Sequence, residues 1–159
     1  HNFTDEKTHW REIEFLINQL DSENLNTLVS LHPKMDRSMY KYLEGKFKVK
    51  ILDESLNQVL PIADLFIATF SSTVIWAVLC GIPCIVIDFY DFSFDMYDFL
   101  ESVTVVNEKK QFAGTIKNKL NSKEDFTKDW NALSKNDVFD GKTIKRYYEN
   151  ILNSLEGKK

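Results

Sequence analysis

Asp64-Leu-Phe-Ile-Ala-Thr-Phe-Ser71-Ser72-Thr73-Val-Ile-Trp76-Ala-Val-Leu-Cys80-Gly81-Ile-Pro83-Cys84-Ile-Val-Ile-Asp88 is the stretch whose reading decides the fold. A run of β-formers, Leu65 to Ala68, meets three hydroxyl residues able to cap a helix. An apolar helical segment follows to Gly81, and Pro83 opens a second apolar run that ends at Asp88. The pattern is strand, loop, helix, loop, strand. Neither strand candidate alternates in polarity, which suits parallel strands covered on both faces. Ser71, Ser72 and Thr73 then stand where a strand hands over to a helix N-terminus, a place where amide N–H groups and the helix dipole favour phosphate.

Working outward, the chain before this unit alternates in the same way. Thr4 or Asp5 can cap a helix carrying Trp10, Ile13, Leu16, Ile17 and Leu20 at helical spacing. Thr27 to Leu31 reads as a buried strand that stops at His32-Pro33-Lys34, because proline cannot donate to the ladder. Met35 to Glu44 reads as a short helix closed by Gly45, and Phe47 to Leu52 as a strand with Val49 and Ile51 inward. Asp53 and Ser55 supply caps for a helix over Leu56 to Ile62. Beyond Asp88, the aromatic and acidic stretch from Phe89 to Asp98 fits a loop or a helix starting near Ser93. Val103 to Val106 is the last strand, and Glu108 to Leu120 a helix with Phe112, Ile116 and Leu120 on one side. A helix is expected around Phe126, Trp130 and Leu133, and a closing one after Gly141 bearing Ile144, Tyr147, Tyr148, Ile151, Leu152 and Leu155.

This alternation predicts an α/β fold: a Rossmann-like, doubly wound parallel sheet with helices on both faces, built by residues 1–159 as a single nucleotide-binding domain. Such sheets bind ligands outside the carboxyl ends of their strands. His32, Asp53, Ser71 and Asp88 all fall at strand carboxyl ends.

Composition narrows the partners. The 159 residues are 43% hydrophobic, enough for a core. Lys and Arg number 20 against 24 Asp and Glu, a net charge of -4, so nothing in the charge balance favours nucleic acid or an anionic membrane. The longest apolar stretch, Val74 to Ile87, is broken by Gly81 and Pro83 and is too short for a transmembrane segment, and residues 1–12 lack a signal-peptide core. Cys80 and Cys84 read as buried free thiols in a reducing, cytoplasmic setting. Because the chain opens at His1 with a helix and no strand before it, the sequence is expected to be a piece of a longer protein.

Among residues that could carry chemistry, Ser71-Ser72-Thr73 with His32 and Lys34 suit a diphosphate. Taken alone, either serine is a plain N-cap and His32 a plain turn residue. Asp88, Asp91, Asp95 and Asp98 are interleaved with aromatic residues and read as sheet-edge packing, with no metal expected. GxGxxG, GxxxxGK[ST] and HExxH are all absent and only five glycines occur, so no cofactor is expected either.

Leu31-His32-Pro33-Lys34, Asp64 to Ile75, and Gly81 to Asp88 together resemble the carboxyl-terminal half of GT-B glycosyltransferases. The resemblance is to bacterial surface-polysaccharide enzymes, capsule transferases with HP and SS/ST motifs and the CDP-glycerol glycerophosphotransferases of teichoic acid synthesis. It spans roughly residues 27 to 155, and Asp140-Gly141-Lys142 is similar to the start of the closing segment in such domains. It implies half of a GT-B fold that binds a nucleotide-activated sugar or CDP-glycerol. On that resemblance His32 is the catalytic-centre residue and holds the donor diphosphate with Ser71 and Ser72, beside which Lys34 and Thr73 are the further diphosphate candidates read from the rim itself, while Leu52, Asp53 and Trp76 mark the base and ribose positions. Many relatives carry Glu or Asp on the helix after the serines to bind ribose, whereas this chain has Trp76 with Ala77 beside it. The resemblance further implies an amino-terminal acceptor domain absent from this sequence, a fragment inactive by itself, and work in the cytoplasm or, through the full-length protein, at the inner face of the membrane. Two other readings stay open: a flavodoxin-like interaction module whose serines are caps, and a GT-B-like sugar-nucleotide 2-epimerase.

Overall fold

The computed structural model describes residues 6–90, 92, 95–135, 142, 145, 148, 149, 151 and 152. Two compact units divide the chain, residues 1–62 and 63–159. Both are α/β with parallel strands.

The first unit begins with α1 (Glu6–Ser22), which runs into β1 (Thr27–Val29). β1 pairs in parallel with β2 (Val49–Ile51), in the register Thr27–Val49, Leu28–Lys50 and Val29–Ile51. The core of this unit is Tyr40, Leu43 and Ile51, against which Trp10, Ile13, Val29, Leu31, Phe47 and Val49 pack. Val49 and Ile51 point inward as expected. Thr27 to Leu31 is not buried throughout: Leu28 and its register partner Lys50 are exposed, because this pair of strands is covered on one face and follows the two-residue period.

The expected helix from Met35 to Glu44 is divided. His32 to Met35 forms a turn with Pro33 at its second position, closed by the Met35 N–H donating to the His32 carbonyl at 2.8 Å. The Asp36 carboxylate accepts the Ser38 N–H at 2.9 Å and starts a fresh 3-10 turn, Arg37–Met39, before α2 (Tyr42–Lys46). Gly45 lies inside α2 and does not close it; Phe47, in extended conformation, does. α3 (Leu56–Val59) has Gln58 reaching back to accept the Ser55 N–H at 3.2 Å, and tightens to a 3-10 turn at Leu60–Ile62, where Pro61 has no N–H to continue an α ladder. Asp53 caps nothing here; it pairs with Arg37.

In the second unit β3 (Phe66–Ala68), α4 (Thr73–Leu79) and β4 (Cys84–Ile87) follow the predicted order, and β4 is buried at every residue. β5 (Val103–Val106) completes a parallel sheet in the order β3-β4-β5. α5 (Lys109–Asn121) and α6 (Thr127–Lys135) follow. Phe112 and Ile116 are fully buried, but the third inward position of α5 is Lys119 and not Leu120, which is 38% exposed. Cys84 is buried, whereas Cys80, also a free thiol, is exposed at the end of α4. The 89–98 stretch holds a turn and a 3-10 helix at Asp95–Tyr97; Ser93 and Asp91 lie outside the described residues, as do Gly141, Ile144, Tyr147 and Leu155.

Within each sheet the strands run in sequence order, β1-β2 and β3-β4-β5. No helix among the described residues is long and apolar enough to cross a membrane.

Gly81 ends α4 in a left-handed conformation, φ 72°. Its N–H donates to the Val78 carbonyl at 3.0 Å and that of Ile82 to the Ala77 carbonyl at 3.0 Å, the paired bonds of a Schellman ending. A Cβ here would meet the Trp130 ring at 3.7 Å, an ordinary contact, so the backbone angle alone sets the cost of a side chain. Gly81→Ala is expected to lose about 1 kcal/mol, read as a lower urea midpoint with unchanged slope; a neutral result would mean the helix end relaxes to negative φ.

Candidate functional site

The strand-to-helix loop of the second unit is ordered by its own hydroxyls. Ser71 Oγ accepts the Thr73 N–H at 3.2 Å and lies 2.6 Å from Thr73 Oγ1. The Ser71 and Ser72 carbonyls accept the Val74 and Ile75 N–H groups at 3.1 and 3.2 Å. Ser71 therefore caps α4, while Ser72 has helical backbone angles, makes no side-chain cap bond and is exposed. Of the three hydroxyls, two are engaged with each other and one faces outward.

The loop is also held from behind. Tyr97 is buried and its hydroxyl donates to the Ser71 carbonyl at 2.8 Å. Burial pushes the Tyr97 phenol up, so it stays a donor across the physiological range. At the end of β4, Asp88 is buried and its Oδ1 accepts the Phe92 N–H at 2.9 Å, which makes it a brace for the following turn. Trp76 is 46% exposed on α4, so the indole is not core.

The other sequence-predicted site residues belong to the first unit. His32 and Lys34 are exposed, and the Lys34 N–H donates to His32 Nδ1 at 3.2 Å, which in the neutral ring leaves the proton on Nε2. His32 is a turn residue in this geometry. Leu52 and Asp53, at the end of β2, are bound by Arg37. Its Nη2 donates to the Ile51 carbonyl at 2.7 Å, its Nη1 donates to the Leu52 carbonyl, and Nη1 lies 2.8 Å from Asp53 Oδ1. A ligand approaching the end of β2 meets the Arg37 guanidinium already paired with the exposed Asp53 carboxylate.

Arg37 and Tyr97 are the residues that the sequence did not single out. For Arg37 the available signal was Asp-x-Ser at 36–38, a capping pattern that starts a new turn; for Tyr97, one of two tyrosines in an aromatic and acidic stretch, there was no signal at all. Among the described residues no three His, Cys, Asp or Glu side chains are grouped as a metal site.

Comparison of the chain with protein-family models, with curated proteins and with solved structures gives no match. Function is therefore argued from the residues themselves. What the β3–α4 loop offers chemically is two exposed hydroxyl residues, Thr69 and Ser72, the second on a backbone fixed by Ser71, Thr73 and Tyr97.

Proposed function

We propose that this chain is a Rossmann-like donor-binding domain of a GT-B glycosyl- or glycerophosphotransferase of bacterial surface-polysaccharide synthesis. Its ligand would be a nucleotide-activated sugar or CDP-glycerol, and the doubly wound sheet with helices on both faces would belong to that half of the enzyme. The supporting observation is the unit β3–loop–α4–β4: two parallel strands joined through a helix whose first turn carries an exposed Ser72 beyond a cap already supplied by Ser71. Such a loop can present a hydroxyl donor to a diphosphate without dismantling the helix start, and in the transfer step it would help carry the charge on the departing diphosphate.

Titration calorimetry with UDP, CDP, CMP and GDP tests this. One nucleotide is expected to bind, with at least tenfold weaker binding in Ser72→Ala and unchanged folding, consistent with loss of a hydrogen bond to a charged group. Added EDTA should leave the isotherm unchanged. His32→Ala and Lys34→Ala, measured in parallel, report whether the first unit contributes to phosphate binding as the resemblance implies. If none of the four nucleotides binds, the transferase assignment falls.

A second reading is favoured by one observation: Ser71 and Thr73 spend their hydroxyls on each other and on the helix start. In an interaction module the loop would be structural throughout, and Ser72→Ala would change neither folding nor binding of any nucleotide.

A further inference from the structure

The two outer edges of the first unit's sheet are unlike. In a parallel pair each residue directs its N–H and C=O to the same side, and alternate residues address alternate sides. The Leu52 N–H donates to the Val29 carbonyl at 2.9 Å, so Thr27 and Val29 address β2 while Lys50 and Leu52 address β1. Val49 and Ile51 therefore face the outer edge of β2, and Leu28 faces the outer edge of β1.

On β2 that edge is occupied. The Ile51 N–H donates to Glu44 Oε1 at 2.9 Å, the Ile51 carbonyl accepts from Arg37 Nη2 at 2.7 Å, and the Val49 N–H donates to the Phe47 carbonyl at 2.9 Å. Side chains stand where a further strand would pair, and Lys48 and Lys50 add charge; cover and charge are both means of protecting a sheet edge. β1 has neither. It pairs with β2 alone, and the Leu28 N–H and C=O have no hydrogen-bond partner among the described residues. Residues 26–31 carry no charge, and the side chain at the middle of the edge is a leucine 45% exposed. The outer strands of the other sheet, β3 and β5, are half-buried or buried at every residue, which leaves β1 the most accessible of the four.

We propose that the open edge of β1 pairs antiparallel with the same edge of a second copy of this chain. The edge is self-complementary. A two-fold axis between the two Leu28 residues lets each N–H donate to the other's carbonyl and sets Asn26 of one copy opposite Ser30 of its partner copy. The exposed Leu28 side chains then lie next to each other on one face and cover each other from water. In the resulting four-stranded sheet, β2-β1-β1-β2, the Lys50 residues of the two copies stand three strand spacings apart, about 14 Å, where physiological salt largely screens their repulsion. Because Glu44 and Arg37 occupy both outer edges, pairing stops at two copies.

Sedimentation equilibrium of the 159-residue chain tests this. The weight-average mass is expected to rise reversibly with concentration towards that of a dimer and no further, while exchange of the Leu28 amide hydrogen slows. Leu28→Lys sets two ammonium groups opposite each other at an exposed position, and every substitution enters a two-fold interface twice, so the dimer should weaken about tenfold or more with the urea midpoint of the dilute monomer unchanged. Leu28→Pro, which removes the outward N–H and no bond of the β1–β2 ladder, should weaken it likewise. Arg37→Ala combined with Glu44→Ala frees Ile51, and species larger than a dimer should then appear. A chain that stays monomeric into the millimolar range overturns the proposal and leaves the edge to a strand of some other protein. A dimer of undiminished strength in Leu28→Lys overturns it as well, since the copies would then meet through another surface. An unchanged limit of two copies in the Arg37→Ala, Glu44→Ala variant would overturn the closing role of those side chains.

Discussion

Phe112→Ala is expected to destabilise the protein by about 3–5 kcal/mol. Phe112 is fully buried on α5 and meets the Phe89 ring edge-on, centroids 6.4 Å apart. Phe89 lies two residues beyond β4 and has the Lys109 ammonium 5.8 Å from its ring centroid. Truncating Phe112 therefore removes a ring at the junction of α5 with the end of β4, and both the transfer energy and the residual cavity count against the fold. Equilibrium urea unfolding should show the loss as a lower midpoint with unchanged slope. Phe112→Leu, which keeps most of the volume, should cost about 1–2 kcal/mol. A loss for alanine no larger than for leucine would mean that α5 collapses onto the space, and that the ring is not what holds the helix to the sheet.

That junction was legible in the sequence because apolar density and period are local properties. Val103 to Val106 was read with the bounds that the strand has, and Phe112 and Ile116 as the inner face of a helix. The same periodicity pointed to Leu120 in place of Lys119, since no local pattern reveals that a lysine will find the Ser102 carbonyl and Glu124. The division of 35–46 into a turn, a 3-10 turn and a short helix was hidden for a related reason. Helical spacing sums over a window, whereas the Asp36 carboxylate acts on the single Ser38 N–H and restarts the chain there.

The candidate site shows the same limit. Hydroxyls at a strand-to-helix turn were visible at 71–73, but which of them caps depends on backbone angles, and the cap is one residue earlier than the exposed serine. Leu52 and Asp53 mark the expected place of a nucleotide base, yet the Leu52 carbonyl and Asp53 Oδ1 are already bonded to Arg37, fifteen and sixteen positions earlier in the chain. This changes what the end of β2 can recognise. With the Ile51 and Leu52 carbonyls each accepting from Arg37, the outward chemistry there is that of an ion pair, a guanidinium that donates and an Asp53 carboxylate, 79% exposed, that accepts.

Lys119→Met should be as costly as any core truncation. The Lys119 side chain is 9% exposed and that of Glu124 17%, so removing the ammonium strands a carboxylate in a place that water barely reaches. Breaking such a pair from one side is expected to cost about 3–5 kcal/mol. Replacing both partners, Lys119→Met with Glu124→Leu, should recover most of that loss, because the penalty lies in the unpaired charge and two well-packed apolar side chains carry none. Urea midpoints of the two single variants and the double variant form the cycle that measures this, with the coupling read as the departure from additivity. Equal stabilities for Lys119→Met and the double variant would show that Glu124 swings out to solvent once released. Glu124 would then act as a surface partner to Lys119, and the bond from Nζ to the Ser102 carbonyl would alone account for the buried lysine.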